Sequence, residues 1–165
     1  MKKLVLAMGA TMLAGGLLLS ASFKANAASG AKDEITTLEH KLIAATSADE
    51  AIKFYDGNPD VYDFVPPLQY KGTDAVHTDF NNFFSNAKDV KGEFVELEVV
   101  TDGKLGMARS LQHFTWKDKD DKPAEATIRV TDVLHKVKGE WKIMHSHISV
   151  PVDPKTGQGQ MNLKS

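Results

Sequence analysis

From Asp33 onward, apolar residues recur at three- and four-residue spacing: Ile35, Leu38, Leu42 and Ile43, with Ala45 at the margin. That stripe predicts an amphipathic helix. Ser47-Ala48-Asp49-Glu50 then reads as a capping box, in which the serine caps the backbone and the glutamate reaches back. It opens a short helix carrying Ala51, Ile52, Phe54 and Tyr55, which Gly57-Asn58-Pro59 stops. Val61 to Val65 alternates as a strand and Pro66-Pro67 ends it. Gly72-Thr73-Asp74 turns into a third helix whose apolar face holds Val76, Phe80, Phe83 and Phe84.

After Gly92 the period changes to two. Alternating runs cover Phe94 to Val100, Met107 to Trp116, Ala126 to Val137 and Trp141 to Val150. Hairpin signals join them: Asp102-Gly103-Lys104, the charged stretch from Lys117 to Lys122, and Lys138-Gly139. Helices first and four antiparallel strands afterwards predict a segregated α+β domain. The tail from Asp153, with Gly157 and Gly159, reads as a loose terminus over 154–165.

The first residues follow a different logic. Lys2 and Lys3 precede an uncharged apolar run from Leu4 to Leu19, and Ala25-Asn26-Ala27 supplies the small residues a signal peptidase accepts. The run is short for a bilayer span, which needs roughly 20 residues. A signal peptide over 1–27 and a flexible leader over 28–32 are therefore expected, followed by one domain over 33–153. The expected location is periplasmic or secreted, in a bacterium, with no membrane association after cleavage.

Removing residues 1–27 from the 165-residue chain leaves 138 residues with 17 basic and 22 acidic side chains. Such a mildly acidic domain does not suit nucleic acid, which asks for clustered Lys and Arg. There is no cysteine, hence neither a disulfide nor thiolate chemistry. No G-x-S-x-G word, phosphate-cradling loop or dinucleotide fingerprint is present, and no organic cofactor is expected.

His145 and His147 lie two apart on the last predicted strand and so share a face. Two registers are open for that hairpin. If Val137 pairs with Glu140, Asp132 stands opposite His145; a three-residue loop would place Val133 there instead. A carboxylate beside an imidazole would fix its tautomer and raise its basicity. The two histidines then have four readings: a structural hydrogen-bonding pair, a ligand contact, general acid–base groups, or metal ligands lacking a clear third partner. Met144, Ile148 and Val150 would form an apolar strip on the opposite face, suited to a homodimer. Tyr55 and Tyr70 are candidate pocket-lining residues, with ordinary packing as the plainer reading. Phe80, Phe83, Phe84, Phe114 and Trp116 are most simply core.

The end of the chain carries a recognisable pattern. From Arg129 to Pro151 it reads R-x-T-x-V, then G-x-W-K-I-x-H-x-H-x-S-x-P, and Tyr70-Lys71-Gly72 leads into Asp74-Ala75-Val76. These words, with the order of elements, resemble the SnoaL-like and ketosteroid-isomerase-like group of the nuclear transport factor 2-like superfamily over residues 33–153. The resemblance implies a cone: a curved antiparallel sheet with three N-terminal helices on its concave side and a small-molecule pocket between. It also implies cofactor-independent proton transfer beside a carbonyl, as in isomerases, dehydratases and cyclases. By position, Asp63 matches the general base of ketosteroid isomerases and Asp132 matches their late-strand acid. His40 stands where those enzymes carry an oxyanion-donating tyrosine, which is a departure. The expected site is thus Asp63, Asp132, His145 and His147 for chemistry, with His40, Tyr55, Tyr70, Phe114, Arg129 and Trp141 around the ligand. The same fold also serves non-catalytic binding and dimerisation modules.

Overall fold

The computed structural model describes the backbone of residues 15–163 and the side chains of residues 29–163. Ten elements follow in order: α1 (Gly15–Ile43), α2 (Ala48–Ala51), a 3-10 turn (Ile52–Phe54), β1 (Tyr55–Tyr62), β2 (Tyr70–Lys71), α3 (Thr73–Asn86), β3 (Lys88–Thr101), β4 (Leu105–Lys117), β5 (Pro123–Val137) and β6 (Glu140–Ser149). The six strands form one curved sheet in the order β2-β1-β6-β5-β4-β3. All neighbours are antiparallel except β1 and β6, which run parallel. The expected wholly antiparallel sheet is thus a mixed one. Gly57-Asn58-Pro59 does not end a helix but lies inside β1, where five residues of β1 span the distance of two on β6. The expected strand at Val61–Val65 ends at Tyr62.

Even-numbered residues of β4 and β5 face the helices: Ala108, Ser110 and Gln112 on one strand, Ala126, Val130, Asp132 and Leu134 on the other, all buried. Ile35 of α1, Leu134 and Ile143 have no exposure, and Trp141 fills the space beside them. Each such side chain contributes about 1.5–3 kcal/mol by leaving water. Two glycines let α1 lie against the sheet. A Cβ at Gly92 would come within 2.7 Å of Ile43 and Phe114, and one at Gly106 would collide with Ile35.

The first turn of α2 is capped by Ser47, whose Oγ accepts from the Glu50 N–H at 3.3 Å. Glu50 reaches back one residue further than a capping box requires, accepting from the Thr46 N–H at 2.8 Å. Residues 28–32, read as a flexible leader, lie within α1, and Ala31 is buried. Of the expected signal, residues 1–14 lie outside the described residues, and 15–27 are the first part of α1. The tail is held too: Val152 bridges to Gly159, and the Thr127 N–H donates to the Met161 carbonyl at 2.6 Å.

One irregularity in the last hairpin decides which side chains face inward. The turn closes with Val137 opposite Glu140, and Leu134 opposes Ile143. Met144 then has no partner; Val133 opposes His145 and Asp132 opposes Ser146. An extra residue in one strand reverses the facing of everything beyond it. Trp141 and Ile143 point inward before the bulge, Ser146 and Ile148 after it.

Candidate active site

A cavity of about 440 Å³ opens between the helices and the wider end of the sheet. Its walls are apolar and aromatic: Leu42 of α1, Phe80 and Phe83 of α3, Phe114 and Trp116 of β4, and Ile128 and Val130 of β5. Carboxyl groups stand at two places in it, Asp132 at the floor and Asp63 with Asp79 toward the mouth.

The floor is dry. Asp132 and Glu39 are each only 1 % exposed, and no lysine, arginine or histidine pairs with either among the described residues. Ser146 donates its hydroxyl to Asp132 Oδ1, so the Tyr55 hydroxyl, 3.0 Å from Ser146 Oγ, must donate to the serine. Both Glu39 oxygens are buried without a donor. The two carboxyl groups are neighbours whose charges act on each other. Two like charges about 4 Å apart repel by about 4 kcal/mol at an effective dielectric of 20. Protonation of one carboxyl group relieves this repulsion, and a protonated Glu39 turns one of its oxygens into a donor for the Asp132 carboxylate. Burial, reinforced by the charge of Asp132, pushes Glu39 up to about 9. Burial raises Asp132 as well, to about 6, with the Ser146 and Glu39 hydrogen bonds working against it. Burial, then the negative charge of Asp132, holds the Tyr55 phenol far above its ordinary value.

The mouth is built on another plan. Asp63 sits just past β1 and accepts the backbone N–H groups of Phe64 and, at 3.3 Å, Val65. Asp79 is on the inner face of α3, 8 % exposed, with Asp63 and Tyr70 in reach. Burial and then the charge of Asp63 push Asp79 up to about 7. Asp63 is raised by burial and pulled back by hydrogen bonds from Asp79, Val65 and Phe64. The Tyr70 hydroxyl donates to the Pro66 carbonyl at 2.8 Å and so ties the lip of the cavity.

Of the ten expected site residues, Asp63, Asp132, Tyr55, Tyr70 and Phe114 line this cavity. The other five do not. The Met144 bulge turns His145 and His147 onto the outer face, where Tyr62 packs edge-on against His145 at 4.8 Å. His145 Nδ1 hydrogen-bonds the Asp60 carbonyl at 2.8 Å, and His147 is exposed. Among the described residues no three His, Cys, Asp or Glu side chains converge as a metal site. His40 is exposed on α1 against Phe94, and Arg129 is exposed on β5. Trp141 packs beneath α1, donating its indole N–H to Glu34 at 2.8 Å. The bulge also splits the expected apolar strip, since Ile148 lines the cavity while Met144 is exposed.

Glu39, Asp79 and Ser146 are the polar groups that sequence reasoning missed. Glu39 falls four residues after Ile35 and four before Ile43, on the buried stripe of α1. Asp79 falls three after Val76 and four before Phe83, on the apolar face of α3. Helical spacing alone marked both. Ser146 required the bulge.

Helices closing one side of a curved sheet around a largely apolar cavity define the cone-shaped α+β class of pocket proteins. The family model of the SnoaL-like domain matches residues 35–153, and the chain belongs to that family. No curated protein matches it. Solved structures share the fold. An NTF2-like protein of unknown function from Pseudomonas putida KT2440 superposes with a TM-score of 0.74 at 24 % identity, over 83 % of this chain and 98 % of the other. A nuclear transport factor 2-like superfamily protein from Salmonella enterica serovar Typhimurium LT2 gives 0.69 at 19 %, over 80 % and 99 %. A ketosteroid isomerase-like protein from Erwinia carotovora atroseptica SCRI1043 gives 0.62 at 18 %, over 72 % and 94 %.

Proposed function

We propose that this protein is a cofactor-independent enzyme that moves a proton on an apolar small molecule, an isomerase, dehydratase or cyclase in type, with its chemistry at the cavity floor. The observation that carries this reading is Asp132, 1 % exposed yet lining an apolar cavity, with the equally buried Glu39 against it and no basic side chain among the described residues paired to either. A buried carboxylate whose pKa is raised toward the working pH is a stronger base than a solvated one, and loses less to water before it reacts. Asp132 takes the proton. Glu39 and the Tyr55–Ser146 chain stabilise the states before and after transfer, because each aims a hydrogen at Asp132 or releases it. Asp63 is the weaker candidate for the base, since two backbone N–H groups already bind its charge.

The test is solvent exchange. Apolar cyclic ketones are incubated in D₂O with the protein, and loss of the proton next to the carbonyl is followed by NMR. Wild type is expected to accelerate exchange on at least one ketone, and Asp132→Asn to slow it by about 10²–10⁴-fold, the usual worth of a general base. Equal exchange by both proteins would overturn the reading.

Export is a second part of the proposal, supported by Lys2, Lys3, the apolar run and Ala25-Asn26-Ala27. Mass spectrometry of the protein from cell fractions should find a chain beginning at Ala28 outside the cytoplasm. A full-length cytoplasmic chain would refute it.

A further inference from the structure

The charge of the cavity says what kind of molecule enters it. Asp63, Asp79 and Asp132 line it, with Glu39 behind Asp132, and among the described residues no lysine, arginine or histidine lines it. Acids on the outside of the molecule are treated differently: Glu34 pairs with Lys136, Asp89 with Lys117, Glu98 with Arg109 and Asp56 with His135. At the floor, Asp132 receives the Ser146 hydroxyl and lies against Glu39. At the mouth, Asp63 accepts the Phe64 and Val65 N–H groups, and no basic side chain among the described residues pairs with either aspartate. Asp79 is 8 % exposed and lines the cavity, with Asp63 and Tyr70 in reach. Tyr70 already gives its hydroxyl to Pro66. Phe64, Phe80, Phe83 and Phe84 line the same cavity.

We propose that the cavity takes a hydrophobic amine, an apolar body bearing one ammonium group, with the ammonium held between Asp63 and Asp79 and the body in the aromatic cavity. This rests on the cavity being the functional site, and it assigns binding to the mouth and proton transfer to the floor. An ammonium supplies the positive charge that both carboxylates lack and further donors for their remaining oxygens, and aromatic rings accept a cation where water is scarce. A carboxylate or phosphate ligand would meet two anionic ends and no cation. The ammonium also replaces the proton that the mouth pair shares, so binding releases that proton. The titratable groups near Asp79 are Asp63 from the segment after β1, Tyr70 from β2 and Tyr55 at the start of β1. Below about pH 7 the proton must be displaced, so amine affinity rises with pH up to that point and then levels.

Calorimetry with phenylbutylamine, phenylbutanol and phenylbutyrate tests this on the mature chain. The amine is expected to bind about tenfold or more tightly than the alcohol, and the acid least, as one desolvated ion pair implies. Amine affinity should rise by up to about tenfold per pH unit between pH 5 and 7, with a heat that varies with the buffer in the sense of proton release. Asp79→Asn should remove both the preference and the pH dependence while leaving the alcohol unchanged, and Asp132→Asn should leave the amine preference intact. Amine and alcohol binding alike, or an amine preference that survives Asp79→Asn, overturns the inference and leaves the proton-transfer reading standing. Binding of none of the three overturns the inference and removes the cavity as the site. Amine binding without any solvent exchange on ketones sinks the proton-transfer reading alone.

Discussion

The floor and the mouth of the cavity each hold two carboxyl groups, yet they solve the same electrostatic problem with different means. At the floor, Glu39 and Asp132 are fixed by regular structure, one on α1 and one on β5, with Ser146 and Tyr55 aligned behind them. Each is only 1 % exposed. At the mouth, Asp79 is on a helix but Asp63 is on an irregular segment, and its neighbours Phe64 and Val65 are exposed. Repulsion at the floor is relieved by a retained proton. At the mouth it is relieved partly by a proton and partly by backbone N–H groups. The dry pair is therefore the more perturbed and the more dependent on its surroundings.

The largest effect should come from removing the feature that assembles the floor. Ser146→Ala removes the hydroxyl that the bulge at Met144 turns inward. Asp132 would then lose its hydroxyl donor inside the core. A loss of about 1–3 kcal/mol is expected in urea unfolding, the range for leaving a buried polar group without its partner. An intact stability would mean that Asp132 does not depend on the serine.

That same bulge marks the limit of what the sequence discloses. The order of helices and strands, the inner-facing stripe Ile35, Leu38, Leu42 and the Val137–Glu140 closure are all legible, because hydrophobic period and turn residues report them locally. The parity change in β6 is not reported by any single residue. Its trace is that Ile143 and Ile148 are both inward although five positions apart, which strict alternation forbids. Glu39 and Asp79 escape for another reason: a charged residue on a helix is ordinarily solvated, and only their phase with Ile35 and Val76 says otherwise. The parallel β1–β6 pair is long-range, and nothing in either strand announces it.

A smaller but more specific effect separates the two pairs by pH. Glu39 titrates near its ordinary 4.5 when unfolded and at about 9 when folded. Its contribution is therefore complete below about pH 4.5 and is lost as pH rises toward and through about 9, by up to about 1.4 kcal/mol per unit. Glu39→Gln keeps a donor beside Asp132 and has nothing to ionise. Wild type and variant should be similarly stable at pH 5, and the variant should gain by a few kcal/mol toward pH 8 in urea titrations. A wild-type profile flat from pH 5 to 8 would show that Glu39 does not hold the proton. Asp79→Asn should give a difference of the same sign but confined to the window from about 3.8 to about 7, because the mouth group is raised less. Its gain should stop growing above neutrality, while that of Glu39→Gln continues.

The subtlest test leaves stability nearly alone and asks why Asp79 is raised. Asp63→Asn preserves an oxygen to accept the Phe64 and Val65 N–H groups, so unfolding free energy near pH 4, where Asp79 keeps its proton in both proteins, should change by no more than about 0.5 kcal/mol. What it removes is the charge that opposes ionisation of Asp79, and the new amide can donate to the carboxylate that forms. Asp79 should then titrate below its wild-type value of about 7 but above its ordinary 3.8, because burial, the larger cause, remains. Carboxyl-carbon NMR titration of labelled Asp79 reads this directly. A full return to the ordinary value would make charge repulsion the dominant cause and the mouth wetter than its 8 % exposure suggests. No movement at all would mean that the two aspartates do not share a proton, and the mouth would then differ from the floor in kind rather than in degree.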